Sequence, residues 1–71
     1  MRTFEIKKEP IELYKILKFE GLASSGGEAK NAIAEGQVLV NGAVETRKRK
    51  QIVNGDKVEF AGETIVVNLT V

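Results

Sequence analysis

The chain has 71 residues and a net charge of +1, with no cysteine, histidine or tryptophan and a single aspartate, Asp56. These absences exclude thiolate and imidazole metal sites, structural zinc and any nucleophile activated by a histidine base. The apolar 42% of the sequence must hold one small domain, residues 1–71, unaided by disulfide or metal, within a radius of gyration of about 11 Å; no deep pocket, catalytic residue, metal, cofactor or small-molecule substrate is expected.

In Arg2 to Ile6 the apolar Phe4 and Ile6 alternate with polar residues, the period of a half-buried first strand. The opening residues lack the apolar core of a secretory signal, and no stretch approaches the ~20 apolar residues of a membrane span. A cytoplasmic protein without a membrane partner is expected. Pro10 suits the first position of a helix, where its missing N–H would lack a partner anyway, so a helix is predicted over Ile11–Glu20. On a 100° wheel Leu13, Tyr14, Ile16 and Leu17 form one inward stripe, Lys15 and Lys18 lie opposite, and Gly21 supplies a stop. Phe19 falls nearer Lys15 than this stripe, so its ring reads either as exposed for base stacking or as cover for the edge of the core, the second being expected. Three phenylalanines and one tyrosine do not make a base-stacking platform.

Ser25-Gly26-Gly27-Glu28 has the spacing of a capping box, in which the serine hydroxyl and the glutamate carboxylate meet free backbone N–H groups at a helix start. A second helix is predicted over Gly26–Glu35. Its narrow apolar face of Ala29, Ala32 and Ile33 permits close approach to the first helix, and Gly36 ends it. Glycines at a helix start also present unpaired N–H groups to a phosphate, so Ser25, Gly26 and Gly27 read either as a plain cap or as an anion contact. The segment is not a Walker loop, because the pattern counted from Gly21 needs a lysine where Gly27 stands.

Period-two alternation then takes over. Val38 and Val40 lead into Asn41-Gly42, a pair suited to the positive φ angles of a two-residue hairpin, and Ala43 and Val44 return from it. Arg47-Lys48-Arg49-Lys50 follows as a loop or an exposed strand edge. Asn54-Gly55 is a second turn before a strand at Lys57–Phe60, and Ala61-Gly62-Glu63 turns the chain into Thr64–Val71, where Ile65, Val67, Leu69 and Val71 share one face. The class is α+β: a two-helix hairpin packed on a small, mostly antiparallel β-sheet.

Charge is unevenly placed along this order. Residues 1–28 are neutral, residues 29–50 carry +3 and residues 51–71 carry −2. The basic segment holds Lys30 and the Arg47–Lys50 run, which gives the surface a sided character. The run reads either as a solvated loop or as an anion-binding surface.

The motifs also carry a resemblance: Leu13 and Leu17 on the first helix, Gly21-Leu22, Ser25-x-x-Glu28-Ala29-Lys30, Ile33-x-x-Gly36-x-Val38-x-Val40-Asn41-Gly42, and Gly55-Asp56-x-Val58. Over about residues 11–67 the chain resembles the RNA-binding domain named after the fourth small-subunit ribosomal protein, also called the alpha-L motif, and in particular its small free-standing bacterial members. Such domains occur in ribosomal and ribosome-associated proteins, pseudouridine synthases and a tRNA synthetase, so the resemblance implies a grip on structured RNA. Lys30 matches a basic family position, and Ser25 and Asn41-Gly42 match motif positions. Where members often carry arginine, before the first-helix leucine and after the second-helix serine, this chain has Glu12 and Gly26. The Arg47–Lys50 run is expected to replace that charge, an inference from the residues that the resemblance does not supply.

A monomeric RNA-binding module follows, with structured rRNA or a tRNA-like RNA as partner and Lys15, Lys18, Ser25, Gly26, Gly27, Lys30, Arg47, Lys48, Arg49 and Lys50 as binding residues. The residues alone leave open a second reading, an adaptor whose Thr64–Val71 strand pairs edge to edge with a protein partner.

Overall fold

The computed structural model describes residues 1–70. Its elements are β1 (Arg2–Ile6), β2 (Ile11–Glu12), α1 (Leu13–Phe19), α2 (Gly26–Ala34), β3 (Leu39–Val40), β4 (Ala43–Val44), β5 (Gln51–Ile52), β6 (Lys57–Phe60) and β7 (Glu63–Leu69). The helices pack on a five-stranded sheet of order β1-β7-β6-β3-β4, antiparallel except where β1 runs parallel to β7. This is the α+β arrangement expected, and its radius of gyration is 10.7 Å. Val71, expected to extend the apolar face of the last strand, lies outside the described residues.

The two periodicities meet in one core. Leu13, Ile16 and Leu17 of α1 and Ala29, Ala32 and Ile33 of α2 are buried against Val58, Ile65 and Val67 from the sheet. Each fully buried aliphatic side chain of the size of leucine or isoleucine stabilises the fold by about 1.5–3 kcal/mol. The small alanines of α2 allow it to lie close to α1. Both helices end on a glycine with positive φ, Gly21 at 74° and Gly36 at 78°, and the following N–H groups of Leu22 and Gln37 donate back to the carbonyls of Leu17 and Ala32. That pattern satisfies carbonyls the helices would otherwise leave open.

The first helix starts later than Pro10 suggests, at Leu13, where the apolar stripe begins. Ile11 and Glu12 are extended because they pair with Ile52 and Gln51 in a separate two-stranded sheet. Glu12 caps α1 through its backbone alone. The first helical N–H groups find partners in the basic run instead: Leu13 N–H donates to the carbonyl of Lys50 at 2.9 Å and Tyr14 N–H to that of Lys48 at 3.2 Å. Ile52, fully buried just beyond the run, anchors its far end.

The motif glycines and asparagine build the scaffold. Asn41 and Gly42 both have positive φ, 52° and 86°, and join Val40 to its partner Ala43. The Asn41 amide donates to Asp56 Oδ1 at 3.0 Å, its Oδ1 accepts the Lys57 N–H at 2.9 Å, and Asp56 Oδ2 accepts the Val53 N–H at 2.9 Å. The Asn-Gly and Gly-Asp motifs therefore lock two turns together.

One expectation is overturned by the topology. β7 lies between β1 and β6, with Arg2–Ile6 in register on one side and Lys57–Phe60 on the other. The strand expected to offer a free edge to a protein partner is interior, because the N-terminal strand fills the edge beside it. Edge-to-edge pairing through this strand would require β1 or β6 to leave.

Candidate nucleic-acid interface

The basic run is a loop whose backbone faces inward. With the carbonyls of Lys48 and Lys50 engaged by α1 and a turn closed by the Lys50 N–H on the Arg47 carbonyl, the side chains are left to solvent: Arg47, Lys48 and Arg49 are exposed and Lys50 is half-buried. A shallow recess of about 430 Å³ opens among Arg47, Arg49, Lys50 and Gln51. An anion reaching it would meet guanidinium and ammonium donors without burying either.

Tyr14 joins this loop to the second helix. The Lys30 ammonium lies 4.6 Å from the centre of the Tyr14 ring, and the Arg49 guanidinium lies 5.8 Å from it. Gly26 lies close by, since a Cβ there would stand 3.6 Å from Tyr14 Cε2. The negative face of an aromatic ring attracts both cations while leaving their N–H groups available to an incoming phosphate. Arg49 also lies 3.7 Å from Glu12, which holds Lys15 at 3.2 Å. Lys15, Lys30 and Arg49, remote in sequence, are thus gathered around the start of α1.

The four bases of the run are not equivalent. Arg47 donates through Nε and Nη2 to both carboxylate oxygens of Glu45, at 2.9 and 3.0 Å, and through its backbone N–H at 2.9 Å. These hydrogen bonds, the side-chain ones foremost, hold the Glu45 carboxyl at about 2 and raise Arg47 further. Among the described residues Lys48 and Lys50 have no carboxylate within 4.0 Å. Lys48 and Lys50 are therefore the least neutralised charges of the run.

At the second helix Ser25 is the N-cap, its Oγ accepting the Glu28 N–H at 3.1 Å. Only half of the expected capping box forms: the Glu28 carboxylate accepts from the Ser24 hydroxyl instead of the Ser25 N–H. Gly26 and Gly27 open the helix beside Tyr14. Among the described residues Lys18 has no carboxylate within 4.0 Å, and its ammonium lies 5.8 Å from the Phe19 ring. Phe19 itself departs from expectation: Phe4 lies 6.3 Å from it, yet Phe19 keeps 57% of its surface exposed instead of closing the core edge.

Two residues of this cluster escape a reading by sequence pattern. Tyr14 counts as one more apolar position of the α1 stripe, and Glu12 as a missing arginine. The only local signal is a tyrosine hydroxyl at the margin of an otherwise aliphatic stripe.

Comparison with known proteins gives the chain its relatives. Residues 4–68 match the S4 domain family. YbcJ of Escherichia coli (strain K12) is 57% identical over 68 residues, covering 94% of this chain and 97% of that protein. Its solution structure, described as revealing an alpha-L motif involved in RNA binding, superposes with a TM-score of 0.72 over 93% of this chain and 85% of that one. A "probable ribosome maturation protein", RlbA of Bacillus subtilis (strain 168), is 39% identical over 57 residues and 80% of each chain.

Proposed function

This chain belongs to the S4 domain family, and from that premise we propose that it is an RNA-binding module that grips structured RNA, ribosomal or ribosome-associated, in ribosome assembly or related RNA metabolism. The observation that carries this reading is the meeting of Lys30 and Arg49 at Tyr14, which makes one cationic surface from a helix and a loop. Lys30, Lys48, Arg49 and Lys50 contact phosphates, Lys15 and Lys18 extend the surface along α1, and the Ser25-Gly26-Gly27 turn adds backbone N–H groups at its border. Arg47 contributes once Glu45 yields it.

Such contacts position RNA through its backbone and carry little base information, so recognition rests on the shape of a folded RNA. The alpha-L description of YbcJ supports the RNA, and the name of RlbA supports the ribosomal setting. Residues 1–71 act as one domain and as a monomer, and no residue is assigned a catalytic role. Crosslinking in cells followed by sequencing of the bound RNA is expected to recover ribosomal RNA at a structured site. Recovery of no RNA above background would remove the reading.

A further inference from the structure

A second groove borders the cationic surface and differs from it in kind. It has a volume of about 410 Å³, an apolar floor that includes Pro10, Ile11 and Phe19, and a rim of Lys7, Lys8 and Lys15. Lys7, Lys8, Pro10 and Phe19 are exposed and Ile11 is half-buried. The one carboxylate lining it, Glu12, is already held by Lys15 at 3.2 Å and Arg49 at 3.7 Å. Among the described residues Lys7 and Lys8 have no carboxylate within 4.0 Å, and free ammonium groups beside exposed apolar surface suit a ligand that is flat and uncharged at one end and anionic at the other.

We infer that this groove receives an unpaired nucleotide of the bound RNA, its base against Phe19 and Pro10 and its phosphates on Lys7, Lys8 and Lys15. The inference rests on the RNA-binding reading above and deepens it. Continuity selects RNA over an acidic peptide: Glu12 and Lys15 line the groove, and Glu12 touches Arg49 of the basic loop, so a strand leaving the loop would enter the groove. Base–aromatic stacking is tolerant of sequence because every base has a π-face. A single exposed ring then gives this protein a preference for a bulge or loop over a continuous helix.

Two RNA hairpins at low salt test this, one fully paired in its stem and one with a single bulged 2-aminopurine in the same stem. The protein is expected to bind the bulged hairpin more tightly and to change its fluorescence. Phe19→Leu retains apolar cover over Phe4 but removes the stacking face; it is expected to weaken the bulged complex by about 5- to 160-fold, the range of one lost base stack, to abolish the fluorescence change and to spare the paired hairpin. Lys7→Gln with Lys8→Gln should weaken the bulged complex more than the paired one. Melting curves of both variants establish that they fold. Equal binding of both hairpins by the unaltered protein, or a bulge preference that survives Phe19→Leu, overturns the groove assignment, leaves the cationic surface standing and points to another occupant such as an acidic peptide. Failure to bind either hairpin overturns the RNA-binding reading and the groove with it.

Discussion

The Lys30 ammonium sits 4.6 Å from the centre of the Tyr14 ring, and the Tyr14 backbone is tied to the very loop whose Arg49 approaches that ring at 5.8 Å, since the Tyr14 N–H donates to the Lys48 carbonyl. Helix α1 thus orders two cations on other elements through one side chain and one backbone bond. Fixing them before RNA arrives lowers the ordering cost of binding.

Tyr14→Leu keeps an apolar body and removes the quadrupole. Cation–π contacts at exposed sites contribute about 0.5–1 kcal/mol, so RNA affinity is expected to fall by about 2- to 5-fold, while Tyr14→Phe leaves it unchanged. Fluorescence anisotropy titration distinguishes them. A loss with Tyr14→Phe as large as with Tyr14→Leu would assign the effect to the hydroxyl.

Ser25→Ala removes the acceptor of the Glu28 N–H and is expected to destabilise the fold by about 1 kcal/mol, read as a lower urea midpoint. Ser24→Ala, which breaks only an exposed contact with the Glu28 side chain, should cost less. A larger loss from Ser24→Ala than from Ser25→Ala would place the cap at Ser24.

The two-residue turns predict opposite signs. Around Gly42 an added Cβ meets nothing within 4 Å, so Gly42→Val acts through its φ of 86° and should cost about 1–2 kcal/mol or more. Ala61 already occupies the left-handed region with φ 52°; Ala61→Gly should therefore raise the melting temperature. An unchanged melting curve for Gly42→Val would contradict the turn geometry.

What the sequence made legible is local chemistry. The caps at Ser25, Gly21 and Gly36, the Asn41-Gly42 hairpin and the alternation of Ile65 and Val67 depend on neighbours a few residues away, and each is found where expected. The pairing of Ile11–Glu12 with Gln51–Ile52 depends on chain return between segments far apart in sequence, so Pro10 just before them reads as a helix start. The same distance hides the parallel seat of β1 beside β7, and with it the loss of that strand's free edge. For the site, the charge run and Lys30 were visible as composition. Their common anchor was not, because Tyr14 reads as core until Lys30 and Arg49 arrive at its ring.

Glu45 gives the acid limb of stability a defined sign. Its carboxyl lies at about 2 against an ordinary 4.5, chiefly through the Arg47 side chain. A lowered folded value means stabilisation that is complete above 4.5 and lost as the pH falls from there through about 2. Glu45→Gln should flatten the melting temperature between pH 5 and 2, by a modest amount because Arg47 is exposed. The same substitution releases Arg47 and should tighten RNA binding at neutral pH. Weaker binding would mean that the ion pair orders the loop for RNA.

The salt dependence of binding to a structured RNA decides whether the basic loop and Lys30 are the binding surface. Replacing Arg47, Lys48, Arg49 and Lys50 by Gln leaves the Lys48 and Lys50 carbonyls on α1 and removes no buried side chain, so the fold should melt nearly as before. Five phosphate contacts by these residues and Lys30 contribute roughly −3 to −5 to the log–log salt slope, and loss of the four loop charges should flatten that slope by roughly 3 to 4. Affinity should fall by a similar factor for unrelated structured RNAs, as expected of contacts without base readout. A folded quadruple variant that keeps both its RNA affinity and its slope would contradict the assignment.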